Sequence, residues 1–407
     1  LESWVKPKIT YDSRFPNFRL LTLGLQTFFM ASKLRVGVIF GGRSGEHEVS
    51  LRSAHSVLEA LDRSKYDVIP IAITKEGKWL GPADAVALLP AQSQRLLSEK
   101  AVARASETLS IIGDPAHPGF ISERGGDQRT DGKLLDVVFP ILHVTYGEDG
   151  TIQGWLEMSG LPYVGCGVLA SSCGMDKVAM KALFRDAGLP LCRYVWFLRS
   201  EWERDAATVE RRVMREIKFP CFIKPANLGS SVGISRATDK KSLAQAIELA
   251  ARYDRKIIVE EGLDAREIEC AVMGNDEPEA SLPGEYILKD RSASFLDYTE
   301  KYSNTGHVEF VVPAPLTKAL MKRLQSLATR AFKALDCAGL SRVDFFLCRD
   351  TGELLINELN TMPGLTDVSG FPKMWRASGL SFTQIFDRLI ELALERQQEK
   401  SRNQTSL

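Results

Sequence analysis

The sequence predicts an α/β protein: an N-terminal domain built on a parallel sheet, followed by two α+β subdomains. Three observations carry this expectation. The fold opens β-α-β, with the apolar strand Leu34–Phe40, a Gly-rich turn into a helix, and the strand YDVIPIAIT, an order that calls for a parallel sheet. Amphipathic helices such as MDKVAMKALFRDAGLP, stopped by its Gly-Leu-Pro, then alternate with short apolar strands. Near the end, Ser341 to Gly364 reads SRVDFFLCRDTGELLINELNTMPG, two apolar runs around a polar break, which is the pattern of a β-hairpin.

Size and composition narrow the function classes. A chain of 407 residues is enough for roughly two to three domains. It is 44% hydrophobic and 26% charged, and Lys+Arg balance Asp+Glu at 52 each. No global field therefore points to nucleic acid or an acidic membrane. The 5 His lie at no metal-ligand spacing, and the 7 Cys are scattered without a C-x-x-C. Thiols in apolar contexts, such as Cys166, Cys270 and Cys337, read as the reduced core cysteines of a cytoplasmic protein. Residues 1–33 read as an extension, natural or left by cloning, without folded structure of their own. Their apolar part, Leu20 to Ala31, is too short to span a bilayer and lacks the layout of a signal peptide.

In chain order, the first turn spaces its glycines G-G-x-x-G and no Walker lysine follows, so the dinucleotide and P-loop fingerprints both fail. Glu46 stands at the start of the helix, where a carboxylate suits the dipole as a cap or offers itself to a ligand. From about Asp84 to Lys133 the chain reads as loop and excursions. LLDVVFPILH is the next buried strand, and the GEDG turn at its C-terminal end makes His143 and Glu148 site candidates. A second domain begins near Cys166. FIKP places Lys224 at a strand end, and NLGSSVG, with Gly229, Ser230 and Ser231, offers backbone N–H and hydroxyl groups to wrap phosphate oxygens. Together with Lys177 this makes a phosphate clamp. The third domain opens KIIVEEGLDAREIECAVMG, with Glu260, Glu261 and Glu267 punctuating strand, loop and strand. A polar loop with Tyr298, Lys301 and Tyr302 has the length of a lid or binding loop. A helix from about Thr317 to Leu335, the hairpin, the turn-rich PGLTDVSGFPKMW and a closing helix follow. The last helix carries Phe382, Ile385, Phe386, Leu389 and Ile390 at core spacing.

Alternation in the hairpin puts Arg342 and Asp344 on one face of its first strand, and Glu358 and Asn360 on one face of its second. If both faces turn the same way, hard oxygen ligands converge without Cys or His, a set suited to Mg²⁺ shared with nucleotide phosphates. The plainer alternative is a solvated edge. Against it, these groups sit among Phe345, Phe346, Leu354, Leu355 and Ile356, where an unpaired carboxylate is costly to bury.

The order of motifs resembles an ATP-grasp carboxylate–amine ligase, and more closely the D-alanine–D-alanine ligases. It runs FGGRSGEHEVS, GEDGTIQG, MDK, KPANLGSSVG, VEEGLDAREIECAV, DYTEKY, SRVDFF and NELNTMPG, from Leu34 to about Arg396. The resemblance implies an α+β ATP-grasp fold, ATP and two Mg²⁺ ions (Mn²⁺ being able to substitute), D-alanine as substrate and a homodimer. It divides the chain at 34–165 for a substrate domain, 166–259 for the central subdomain and 260–400 for the C-terminal subdomain with its lid, leaving 401–407 as a tail. Lys177 and Lys224 would hold phosphates under the Gly229 to Gly233 loop, with Glu260 and Leu263 facing adenine, Glu267 the ribose and Glu261 also among the nucleotide-binding residues. Asp344, Glu358 and Asn360 would bind the two ions. Glu46 would receive the first D-alanine's ammonium, with His143 beside it, and would join Ser230 and Tyr302 in a hydrogen-bonded triad. Lys301 would reach the γ-phosphate, and Ser369 and Gly370 the second substrate's carboxylate. Arg342 and the Gly364 N–H would form an oxyanion hole.

Two departures stand out. The family's glycine after His143 is replaced by Val144-Thr145-Tyr146, from which Tyr146 is expected to fill space near the first substrate, and NTMPG carries Met362 as neutral packing. DYTEKY is kept, which favours an amine over a hydroxy acid as second nucleophile. The competing readings are a ligase using D-lactate or D-serine, or another carboxylate–amine pair. Outside the ligases stand a nucleotide-binding regulatory protein and, more distantly, a dehydrogenase.

Overall fold

The computed structural model describes residues 33–97, 109–112, 119–122, 135–229, 231–288 and 308–404. Ser230, Tyr298, Lys301 and Tyr302 lie outside the described residues, and with them the expected lid and triad. The β-α-β opening is as expected. Strand Leu34–Gly41 pairs in parallel with Tyr66–Ile73 on one side and Val137–Ile141 on the other, and Trp79–Leu80 adds an antiparallel edge. Helix His47–Ala60 returns over this sheet, and Ser50 Oγ pins it by accepting from Gly41 N at 2.7 Å and donating to the Ile141 carbonyl. Gly41 has φ +92°, and a Cβ there would lie 2.2 Å from the Ile73 carbonyl oxygen. The glycine thus serves a close backbone approach.

Within 84–133, described residues form more than loop: helices Pro82–Ala87 and Ala91–Leu96, and a hairpin of Leu109–Ile112 with Gly119–Ser122. Elements of four to six residues show too little periodicity to be read from sequence.

The middle sheet orders Tyr194–Leu198, Lys256–Glu261, Cys221–Pro225 and Ser235–Ala237, all antiparallel, under helices Ala206–Glu216 and Lys240–Tyr253. Because strand Lys256–Glu261 belongs to this sheet, a boundary at 259/260 would cut a strand, and we place it after Glu261. The third sheet runs Val308–Val311, Gly284–Leu288, Ala265–Gly274, Gly339–Cys348 and Leu354–Asn360, with Glu279–Ala280 beside Ala265–Gly274. Helices Lys177–Asp186 and Lys318–Ala334 pack on it. PGLTDVSGFPKMW is only half turn, since Gly370–Ala377 is a helix. Its Pro372 sits in the first turn, where the missing N–H has no helical partner to lose.

The closing helix Phe382–Lys400 buries Ile385, Phe386, Leu389 and Ile390, as its spacing requires. Its partner is the surprise. The helix packs into the core of the N-terminal sheet, with Phe386 5.9 Å from Phe139 and Asp387 accepting from Lys65 and Tyr66 at 2.6 and 2.9 Å. The last segment of the chain thus shares a core with the first domain.

Candidate active site

The middle and third sheets border one cleft of about 1570 Å³, and the N-terminal domain reaches it through helix His47–Ala60 and the residues that follow strand Val137–Ile141. Hairpin Gly339–Cys348 and Leu354–Asn360 supplies one wall. Its register sets Arg342 opposite Asn360 and Asp344 opposite Glu358, and an irregularity after Asp344 then pairs Phe345 with Ile356. Both polar faces do turn the same way. The Arg342 guanidinium grips Asp344 with Nε and Nη2 at 2.7 Å each, and Nε also lies 3.3 Å from Glu269 on the neighbouring strand. Asn360 Nδ2 donates to Asp344 at 3.1 Å, so the amide oxygen is the group it can offer a cation. Among the described residues no three His, Cys, Asp or Glu converge as a metal centre. Two carboxylates and an amide oxygen do fit a Mg²⁺ that takes its remaining ligands from phosphate and water.

Helix Lys177–Asp186 brings the cations. Asp176 caps it, accepting from Val178 N and Ala179 N. Lys177 Nζ donates to the Leu228 carbonyl at 2.6 Å and lies 3.8 Å from Glu358. Burial pushes its pKa down, reinforced by Lys224 and Lys181 and opposed by Glu358 and Glu260. Lys224 meets Glu260 Oε2 at 2.7 Å, and Lys181 meets Oε1 at 3.0 Å. Burial would raise the Glu260 pKa, but the two lysines outweigh it and bring it down to about 2. Glu260 borders the cleft but is only 2% exposed, its carboxylate engaged by these two lysines. Glu261 is held by Arg193, while Leu263 and Glu267 line the same end. Gly229 and Ser231 border the cleft from the Gly-Ser loop.

The N-terminal domain presents Glu46 at its helix start and His143 and Glu148 after strand Val137–Ile141. Glu46 stands at the helix start but makes no capping hydrogen bond, so the structural role available to it is not taken. Burial raises its carboxyl pKa, with Glu148 adding and His143, Arg342 and Arg52 opposing. His143 is 3% exposed, with Nδ1 3.3 Å from Glu148 Oε1 and Nε2 3.2 Å from Ser53 Oγ. Burial disfavours its charge, yet Glu148 and Glu46 raise its pKa overall. Val144 and Tyr146 both adopt positive φ, +62° and +64°, in the turn that follows. This overturns the expectation for Tyr146: it turns outward, its hydroxyl accepting from Arg43 at 2.8 Å, and Val144 lines the cleft instead. At the far end Gly364 and Ser369 also line the cleft, with Ser369 Oγ 2.6 Å from Thr366 Oγ1.

Comparison with known proteins decides the family. The profile described as D-ala D-ala ligase N-terminus matches residues 35–166, and that of the D-ala D-ala ligase C-terminus matches residues 183–391. The chain belongs to the D-alanine–D-alanine ligase family. The D-alanine–D-alanine ligase of Natranaerobius thermophilus is 46% identical over 373 residues, covering 92% of this chain and 98% of its own. That of Geobacillus thermodenitrificans is 47% identical over 368 residues, covering 90% and 97%. Among solved structures, the D-alanine–D-alanine ligase of Coxiella burnetii superposes with TM-score 0.76 at 35% identity, over 91% of this chain and 97% of that one. VanG D-Ala:D-Ser ligase of Enterococcus faecalis gives 0.75 at 37%, over 89% and 100%.

The fold is thus the α/β ATP-grasp arrangement of this ligase family. Every expected site residue that is described borders the cleft except Gly370, which opens helix Gly370–Ala377. A Cβ on Gly370 would stand 2.6 Å from Glu269 Oε2, so this glycine makes room for Glu269. Two residues went unforeseen. Glu269 was legible in AREIECAV, since alternation puts it on the face of Glu267. Lys181 was legible one helical turn after Lys177 in MDKVAMK. Among the described residues no helix is long and apolar enough to cross a membrane.

Proposed function

We propose that this protein joins two D-alanines to D-alanyl-D-alanine, with ATP converted to ADP, through a D-alanyl phosphate. The observation that carries this reading is the convergence of Lys177, Lys224, Arg342, Asp344, Glu358 and Asn360 with Glu46 and His143 around one cleft. Cations, oxygen ligands and an unspent carboxylate are what this reaction needs. Glu46 holds the first substrate's ammonium, its neighbour His143 being kept in place by Glu148 and Ser53. A carboxylate is a poor electrophile, so the substrate carboxylate first attacks the γ-phosphate. Lys177 and Lys224 offset charge on the phosphates, and positioning supplies most of the acceleration. Asp344, Glu358 and Asn360 would hold Mg²⁺, which supplies charge neutralisation at the phosphoryl oxygens. The second D-alanine, its carboxylate held near Ser369, must first lose a proton from its ammonium, and the free amine then attacks the acyl carbon. Arg342 and the Gly364 N–H meet the oxyanion, and phosphate leaves.

We further infer a cytoplasmic homodimer acting in peptidoglycan precursor synthesis, with the substrate domain at 34–165. The test is ADP release in a coupled assay with D-alanine, D-serine, D-lactate and L-alanine side by side, and chromatography of the product. D-alanine alone should release ADP and yield the dipeptide. ADP release only when D-serine or D-lactate is added would replace this reading by the corresponding ligase.

A further inference from the structure

Glu260 is a carboxylate with two lysines, and only one of them lines the cleft. Lys224 lies on the cleft wall, whereas Lys181 is 0% exposed and absent from it. Lys181 projects from helix Lys177–Asp186 one turn after Lys177. Its Nζ lies 3.0 Å from Glu260 Oε1 and donates at 3.0 Å to the carbonyl of Asn357, the residue before Glu358. The ammonium also lies 5.9 Å from the Tyr194 ring. A lysine this deep is rarely retained without a partner that needs its charge.

The charges around it show what that need is. Lys177, Lys181 and Lys224 face Glu260 and Glu358, leaving the group with one net positive charge. Without Lys181 the group would be neutral and Glu260 would have Lys224 as its remaining ionic partner among these three lysines. Lys224 would then be drawn to Glu260 and away from an anion in the cleft. We infer that Lys181 is a positioning residue for the nucleotide: it balances one oxygen of Glu260 so that Lys224 keeps charge to give to phosphate, and it anchors the strand that carries Glu358. This rests on the assignment of the cleft to ATP made above.

The test is a double-mutant cycle on the full-length enzyme, comparing Lys181→Met in the parent and in the Glu260→Gln background. With Glu260 present, Lys181→Met should raise KM for ATP roughly tenfold or more, with KM for D-alanine little changed, because it leaves a buried carboxylate one cation short. In the Glu260→Gln background the net charge is restored, and the same substitution should change KM for ATP by less than about threefold. Equal losses in both backgrounds would overturn the inference and leave Lys181 as packing only. If Lys181→Met fails to fold, the double variant must fold, and its failure too would refute the charge argument. Lys224→Met is the control on the underlying assignment. Normal ATP binding by that variant would refute the nucleotide cleft itself, whereas loss of binding there with no Lys181–Glu260 coupling would refute only the role of Lys181.

Discussion

Glu358→Gln separates the needs of the fold from those of the reaction. Asp344 and Glu358 are directly opposed across the hairpin, where Cβ atoms lie about 5 Å apart. Two such charges repel by about 3 kcal/mol at an effective dielectric of about 20. Lys177 Nζ, 3.8 Å from Glu358 Oε2, attracts it by about 4 kcal/mol on the same scale. The substitution removes both terms, which largely offset one another, together with the weaker pull of the more distant Lys181 and Lys224, so the melting temperature should fall by only about 3 °C. Catalysis has no such compensation. A cation held there supplies several kcal/mol of charge stabilisation in phosphoryl transfer, so turnover should fall at least about a hundredfold. The assays are a thermal melt and coupled ADP release across a Mg²⁺ titration. Activity within about threefold of the parent would refute the metal assignment and leave Asp344 and Glu358 as structural carboxylates. A fall of more than about 10 °C in the melt would refute the electrostatic balance.

Two further outcomes follow from the same geometry. Burial raises the Glu46 pKa, and an ammonium is held only by the ionised form, so KM for D-alanine should be lowest above that pKa and rise as pH falls through it. Glu46→Gln should raise this KM above that pKa, where the parent carboxylate is ionised, and flatten the acid limb, and an unchanged limb would remove Glu46 from substrate binding. Asp387→Ala should destabilise the protein by about 1–3 kcal/mol with KM values unchanged, mostly by stranding the buried Tyr66 hydroxyl, since Lys65 is half exposed. A melt within about 1 °C of the parent would show that this clasp contributes nothing.

Much of the site was legible because its chemistry follows local periodicity. Arg342, Asp344, Glu358 and Asn360 share a face through the strand repeat of two, and the hairpin turn leaves their pairing little freedom. Lys224 at a strand end and Glu46 at a helix start were readable for the same reason. Tyr146 was misplaced because its direction depends on a left-handed backbone and on Arg43, a partner 103 residues away. Gly370 is expected as a substrate contact, but why a glycine stands there is decided by Glu269, which a distant strand brings against it.

The sequence by itself determined the β-α-β opening, the paired hairpin face and the residue types that phosphate and a hard cation require, since each is written in spacing over a few residues. Only the tertiary structure decided that the final helix completes the first domain's core and that Glu260 is shared by two lysines. It alone also decided that Lys181, unremarked in its helix, stands behind the cleft wall. These depend on which distant segments share a low-dielectric interior, where burial and pairing set the charge of each group.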